Sequence, residues 1–151
     1  MRAIVATAVG AVLFFAGADL QAGGKELLSK TDSLKEGDKG YTPGKGVDKL
    51  KEEFAPQIAK AITDNPHKVY KLKLKKGDKI VINMKSKDMD SVVVVEDSKN
   101  TVLGLNDDDP AGNTLDSKLE FTAPTDDEYR IIATNLDKKH GDFQLTVSKV
   151  K

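Results

Sequence analysis

The chain contains no cysteine, no tryptophan and only two histidines, His67 and His140. No disulfide can brace it, so its fold rests on its core or on a bound ion. A lipid-modified cysteine anchor is excluded for the same reason. Zinc, which prefers Cys and His ligands, has almost nothing to bind. Net charge is also missing: Lys+Arg and Asp+Glu are both 24 in 151 residues. A balanced chain has no long-range field to gather nucleic acid, which argues against a nucleic-acid partner, and none to gather an anionic membrane. No G-x-S-x-G and no Gly-rich phosphate loop is present, which removes the common sequence signs of a serine hydrolase or a nucleotide enzyme.

What is present begins with a separate N-terminal object. Arg2 is followed by the apolar run "AIVATAVGAVLFFAGA", with small residues at Ala16, Ala18 and Ala22. This order reads as a secretory signal over residues 1–18, with a second cleavage option after Ala22. The run is short for a bilayer span, so no stable membrane insertion is expected after cleavage. The expected location is secreted, periplasmic or in the cell envelope.

Residues 19–57 read as a linker. "GGKELLSKTDSLKEGDKGYTPGKG" is rich in Gly, Lys, Ser and Asp and poor in apolar residues, which suggests a mobile segment. Val47, Leu50 and Phe54 have helical spacing, so a short helix is expected over 47–55, before Pro56.

From residue 58, and clearly after Pro66, the period changes to two. In "KVYKLKLK" Tyr70, Leu72 and Leu74 share one face. Ile80, Ile82 and Met84 do so in "KIVINMK", and "SVVVVED" suits a strand covered on both sides. "TVLGL", "SKLEFTA", "EYRIIAT" and "DFQLTVSKV" continue the pattern, with Leu119, Phe121, Tyr129, Ile131, Phe143, Leu145 and Val147 inward. About seven short strands separated by turn signals imply an all-β chain, a small antiparallel β-sandwich of jelly-roll type over 58–151.

The segments "YKLKLKKGDKIVINMKSKDMDSVVVVEDS", "LGLNDDD", "LEFTAPTDDEYRIIAT" and "GDFQLTV" resemble, in this order, the bacterial pre-peptidase C-terminal (PPC) domain, in the version common in planctomycete-type exported proteins. The resemblance implies a secreted β-sandwich appendage without catalysis, often attached to peptidases. Some relatives, the collagen-binding domains of bacterial collagenases, bind calcium and a protein. Two positions depart from the family pattern. Asp127 stands where Gly is usual, and the loop after the Asp cluster reads "PAGN", with Pro110 removing a backbone donor.

The candidate site is the acidic loop after "LGLN". Asp107, Asp108, Asp109 and Asn113 are hard oxygen donors on one loop, flanked by Asn106 and Asp116. Asp88 and Asp90 open a neighbouring strand and could approach. Such a set suits a weak Ca²⁺ site, although the EF-hand order is absent. The alternatives are a solvated polar turn, which Asn and Asp favour without any ion, and a catalytic carboxylate pair. The turn ranks first, calcium second and catalysis last. For Asp90, acceptance of backbone N–H groups at a strand start is the plainer role. Lys68, Lys71, Lys73, Lys75, Lys76 and Lys79 could bind a polyanion but suit a solvated strand face or a charged edge. The functional expectation is an exported, non-catalytic module that binds a protein or polysaccharide partner outside the cytoplasm. Competing readings are a small secreted hydrolase using the acidic loop and a chaperone or inhibitor of a peptidase.

Overall fold

A computed structural model describes residues 24–51, 53–109, 112 and 114–151. The expected signal over 1–18 lies outside the described residues. Eight strands form: β1 (Lys25–Leu34), β2 (Lys68–Leu74), β3 (Lys79–Ser86), β4 (Ser91–Glu96), β5 (Val102–Asn106), β6 (Ser117–Thr122), β7 (Asp127–Asn135) and β8 (Gly141–Val150). Sheet I has the order β1-β8-β3-β6, and sheet II the order β2-β7-β4-β5. All pairings between these strands are antiparallel. The pairs β1·β8, β2·β7, β3·β6 and β4·β5 are those of one long hairpin folded over on itself, which is the jelly roll.

The period-two residues face each other across the two sheets. Ile80, Ile82 and Met84 of β3 meet Tyr129 and Ile131 of β7, Leu119 and Phe121 of β6, and Phe143, Leu145 and Val147 of β8. Tyr70 and Leu72 pack against this core as partly buried residues. All six residues of β4 are buried. Val93 and Val95 enter the inter-sheet core, while Val92 and Val94 face the outside of sheet II, where a second apolar cluster covers them.

That cover comes from residues 35–66, expected to be mostly linker. Pro56 starts a helix instead of closing one: α1 spans Ala55–Ala61 with the proline in its first turn, where the missing N–H costs nothing. Its Ala55 and Ala59, with Ile62 beyond its end, pack on Val92, Val94 and Ile132. The helical spacing of Val47, Leu50 and Phe54 yields only a single 3₁₀ turn, Val47–Lys49. Leu50 is already extended, and Phe54 is 64% exposed.

Residues 25–34 likewise depart from the linker expectation. They form edge strand β1, paired with β8 from Lys25↔Lys149 to Leu34↔Gly141. A bulge at Leu27 lets Leu27 and Leu28 both pack against the core. Tyr70 then ties the two sheets together at this side, its hydroxyl donating to Asp32 Oδ2 at 2.7 Å.

One pin fastens the strap 35–66 over sheet II. The Tyr41 hydroxyl donates to Glu96 Oε1 at 2.6 Å, the Gly44 N–H to the same oxygen at 3.3 Å, and Arg130 Nη1 lies 3.2 Å from Glu96 Oε2. Burial, and then the neighbouring carboxylate, hold the Tyr41 phenol far above its ordinary range. Asp127 needs no glycine-like backbone, since its φ is not positive. Its side chain accepts from Ser98 N at 3.1 Å and Ser98 Oγ at 2.9 Å, tying β7 to the β4–β5 turn.

Candidate functional site

Three loops meet at one end of the sandwich: β3–β4, β5–β6 and β7–β8. Backbone bonds stitch them together. Ser91 N–H donates to the Leu115 carbonyl at 3.0 Å, Leu136 N–H to the Asp90 carbonyl at 2.9 Å, and Lys118 N–H to the Asp108 carbonyl at 3.3 Å. Asn106 shapes the acidic loop from within. Its Nδ2 donates to the carbonyls of Asp108 and Lys118, both at 2.7 Å, and its Oδ1 accepts from Asp107 N–H at 3.0 Å. This is the side-chain-to-backbone turn chemistry of Asn.

The expected site residues separate into two groups. Asp90, Asp107 and Asp108 come within each other's fields. Burial holds the Asp90 carboxyl above its usual range, and the charges of Asp137, Asp107 and Asp108 add to this, offset by Lys139. Burial also lifts Asp107, with Asp108 as the second cause. The other acids are occupied with loop geometry. Asp88 Oδ2 accepts from Asp142 N–H at 3.2 Å. It lies so close to Gly141 that an added Cβ there would sit 2.4 Å from the Asp88 Cβ. Asp116 Oδ1 accepts from Ser86 N–H at 3.1 Å. The Asp109 carbonyl accepts from Gly112 N–H at 3.0 Å. Asn113 lies outside the described residues.

Asp137 belongs to this end and was not singled out from sequence, because it sits about 30 residues beyond the acidic run on another loop. Its Oδ2 is 2.8 Å from Lys139 Nζ, while its Oδ1 is buried without a hydrogen-bond partner among the described residues. Among the described residues, no group of three or more His, Asp or Glu side chains is placed to hold a metal ion. What the end presents is a patch of crowded negative charge beside Leu115, which is 56% exposed.

Residues 67–135, the span from just before β2 to the end of β7, match the family described as bacterial pre-peptidase C-terminal domain. No curated protein matches the chain in sequence. Among solved structures, the chain is similar to Aeromonas hydrophila PliG, described as a periplasmic lysozyme inhibitor of g-type lysozyme. The TM-score is 0.50 and the identity 14%, over 85% of this chain and 89% of that one. It is also similar to the pre-peptidase C-terminal domain of a collagenase from Bacillus anthracis, with a TM-score of 0.51 and 14% identity over 80% of this chain and 87% of that one. At that identity the two structures show a shared fold. Residues 67–135 thus carry the match to the bacterial pre-peptidase C-terminal domain family, seated in a fold shared with a solved domain of that description.

Proposed function

We propose that the chain is an exported, non-catalytic module that binds a protein partner outside the cytoplasm through its acidic loop end. The observation that carries this reading is the convergence of Asp90, Asp107, Asp108 and Asp137 from three loops onto one end. There, burial and neighbouring carboxylates already penalise the charge of Asp90 and Asp107. A cationic partner surface relieves that penalty, so binding and local electrostatics favour each other. The exposed Leu115 adds an apolar contact at the same end. PliG, similar in fold, is described as an inhibitor of a lysozyme, a precedent for this fold engaging a protein in the periplasm. The apolar N-terminal run after Arg2 supports export. No helix among the described residues is long and apolar enough to cross a membrane.

The test is binding of the mature chain to a g-type lysozyme, and in parallel to soluble polysaccharides, by biolayer interferometry at low and high salt. Protein binding that weakens with salt, and is lost in Asp90→Asn/Asp107→Asn/Asp108→Asn while the melt is retained, supports the reading. Equal binding by that variant moves the contact surface elsewhere. Glycan binding at this end without protein binding replaces the protein by a polysaccharide.

A further inference from the structure

At the far end of β4, on the outside of sheet II, the strap leaves an open cleft of about 430 Å³. It is lined by residues 40–44, His67, Glu96, Asn100 and Arg130. Its floor is unusual for its position. Val92 and Val94 form an apolar outward row on β4, and Glu96, 1% exposed, follows where a third Val would fit. A buried ion pair at such a place is weak as a stability device, because desolvating the two charges offsets their attraction. Its effect here is orientation. The Glu96 carboxylate is 1% exposed and both its oxygens are engaged, by Tyr41 and Gly44 on one and Arg130 on the other.

Arg130 is the group so oriented. Its Nη1 is held by Glu96 and also donates to Asn100 Oδ1. No described residue accepts from its Nε or Nη2, and the side chain is 29% exposed. Asn100, with Oδ1 engaged, has Nδ2 left to donate. His67 Nδ1 lies 2.7 Å from the Lys39 carbonyl and so carries the hydrogen, leaving Nε2 available. Lys39, Lys45 and Lys99 are exposed sequence neighbours of the lining residues Gly40, Gly44 and Asn100; none of them forms an ion pair among the described residues, and the charge of Lys99 also acts on Asp127. The strap and the β4–β5 turn approach closely here: a Cβ added to Gly44 would stand 2.0 Å from the Asn100 carbonyl oxygen.

This is a preformed set of donors around a guanidinium with a free edge, which matches a planar carboxylate. Apart from Pro43 and buried Tyr41, the lining has no apolar side chain that could hold a peptide residue. Its amide, imidazole and backbone groups suit a hydroxyl-rich ring. We propose that the cleft binds a uronate-type acidic sugar unit of a polysaccharide, with Arg130 on the carboxylate, Asn100 and His67 on neighbouring hydroxyls, and Lys45 and Lys99 supplying the field. The site lies at the opposite end of β4 from the acidic loops and does not depend on them.

The test is a titration of the ¹⁵N-labelled mature chain with trigalacturonate. Two controls run beside it: a neutral galactose trisaccharide, which lacks the carboxylate, and N-acetylglycine, a carboxylate without a ring that stands in for a peptide terminus. Saturable shifts confined to residues 40–44 and 98–101 and to Arg130 Nε are expected, with both controls at least about tenfold weaker. Asn100→Gly keeps the left-handed backbone at this position, where φ is 57°, and removes the amide; about tenfold weaker binding is expected. Lys45→Glu, at an exposed position, should weaken binding comparably without lowering the melt. Three results overturn the proposal: no saturable shift at these residues, equal binding of either control, or wild-type affinity in both variants.

Discussion

Replacing Tyr41 by Phe removes one oxygen and leaves the ring in place. The hydroxyl donates to Glu96 Oε1 at 2.6 Å, with Tyr41 2% and Glu96 1% exposed. Water cannot easily take its place. Oε1 then keeps only the longer Gly44 N–H bond at 3.3 Å. A hydrogen bond to a charged group contributes about 1.5–3 kcal/mol, and the upper half of that range applies where the acceptor stays buried. For a domain of this size, such a loss lowers the melting temperature by about 6–12 °C. The same chemical change at Tyr70 is the control. Its hydroxyl donates to Asp32 at 2.7 Å, but both residues are only partly buried, so water substitutes and the cost is about 1 kcal/mol or less. Burial and the hydrogen bond to Asp32 hold the Tyr70 phenol far above its usual range. Both residues therefore stay neutral donors throughout the assay. Urea melts of the two variants, read at constant m-value, give the difference. A Tyr41→Phe cost no larger than that of Tyr70→Phe would refute the claim that the strap is pinned by a buried carboxylate oxygen otherwise held only by the Gly44 N–H.

The carboxyls of Asp90 and Asp107 are held above their ordinary range by burial first and by neighbouring charge second. A raised acid contributes stability below its unfolded pKa, about 3.9, and loses it as pH rises through the folded value. Asp107→Asn should therefore raise the melting temperature at pH 7 and leave it nearly unchanged at pH 3; a fall at pH 7 would mean that Asp107 is paired with a positive group. Gly44→Ala should cost about 2 kcal/mol or more, since its Cβ would stand 2.0 Å from backbone oxygen at Asn100, and amide exchange should rise across residues 40–46. With the described carboxylates alone, melts in EDTA, Ca²⁺ and Mg²⁺ should coincide within about a degree. A Ca²⁺-specific rise, lost in Asp107→Ala/Asp109→Ala, would show that residues 110–113 complete a site.

Strands β2 to β8 were legible because each buries one side and shows the other to water, or, as in β4, buries both. Alternation carries that information directly. The acidic loop could also be read, as a run of adjacent residues. β1 could not: an edge strand with Ser, Lys and Thr toward solvent, and its apolar residues Leu27 and Leu28 set side by side at a bulge, has no period to detect. The strap failed for a related reason. Its burial comes from Tyr41, two alanines and Ile62, too few apolar residues to distinguish it from a linker. Tyr41, Glu96 and Arg130 are far apart in sequence, and nothing local says that they meet. One sign was available in retrospect, a Glu closing a four-Val run, which marks a charge about to be buried.

The nested pairing of the jelly roll has a consequence in time. The innermost pair, β4·β5, closes across the short 97–101 turn, whereas β1 finds its partner only when β8 exists, Lys25 lying opposite Lys149. Each outer pair encloses the inner ones, so contacts are mostly distant in sequence and folding is slow, on the scale of milliseconds to seconds. A chain synthesised from its N-terminus cannot complete either sheet I or the seam between Asp32 and Tyr70 until almost its last residue has appeared.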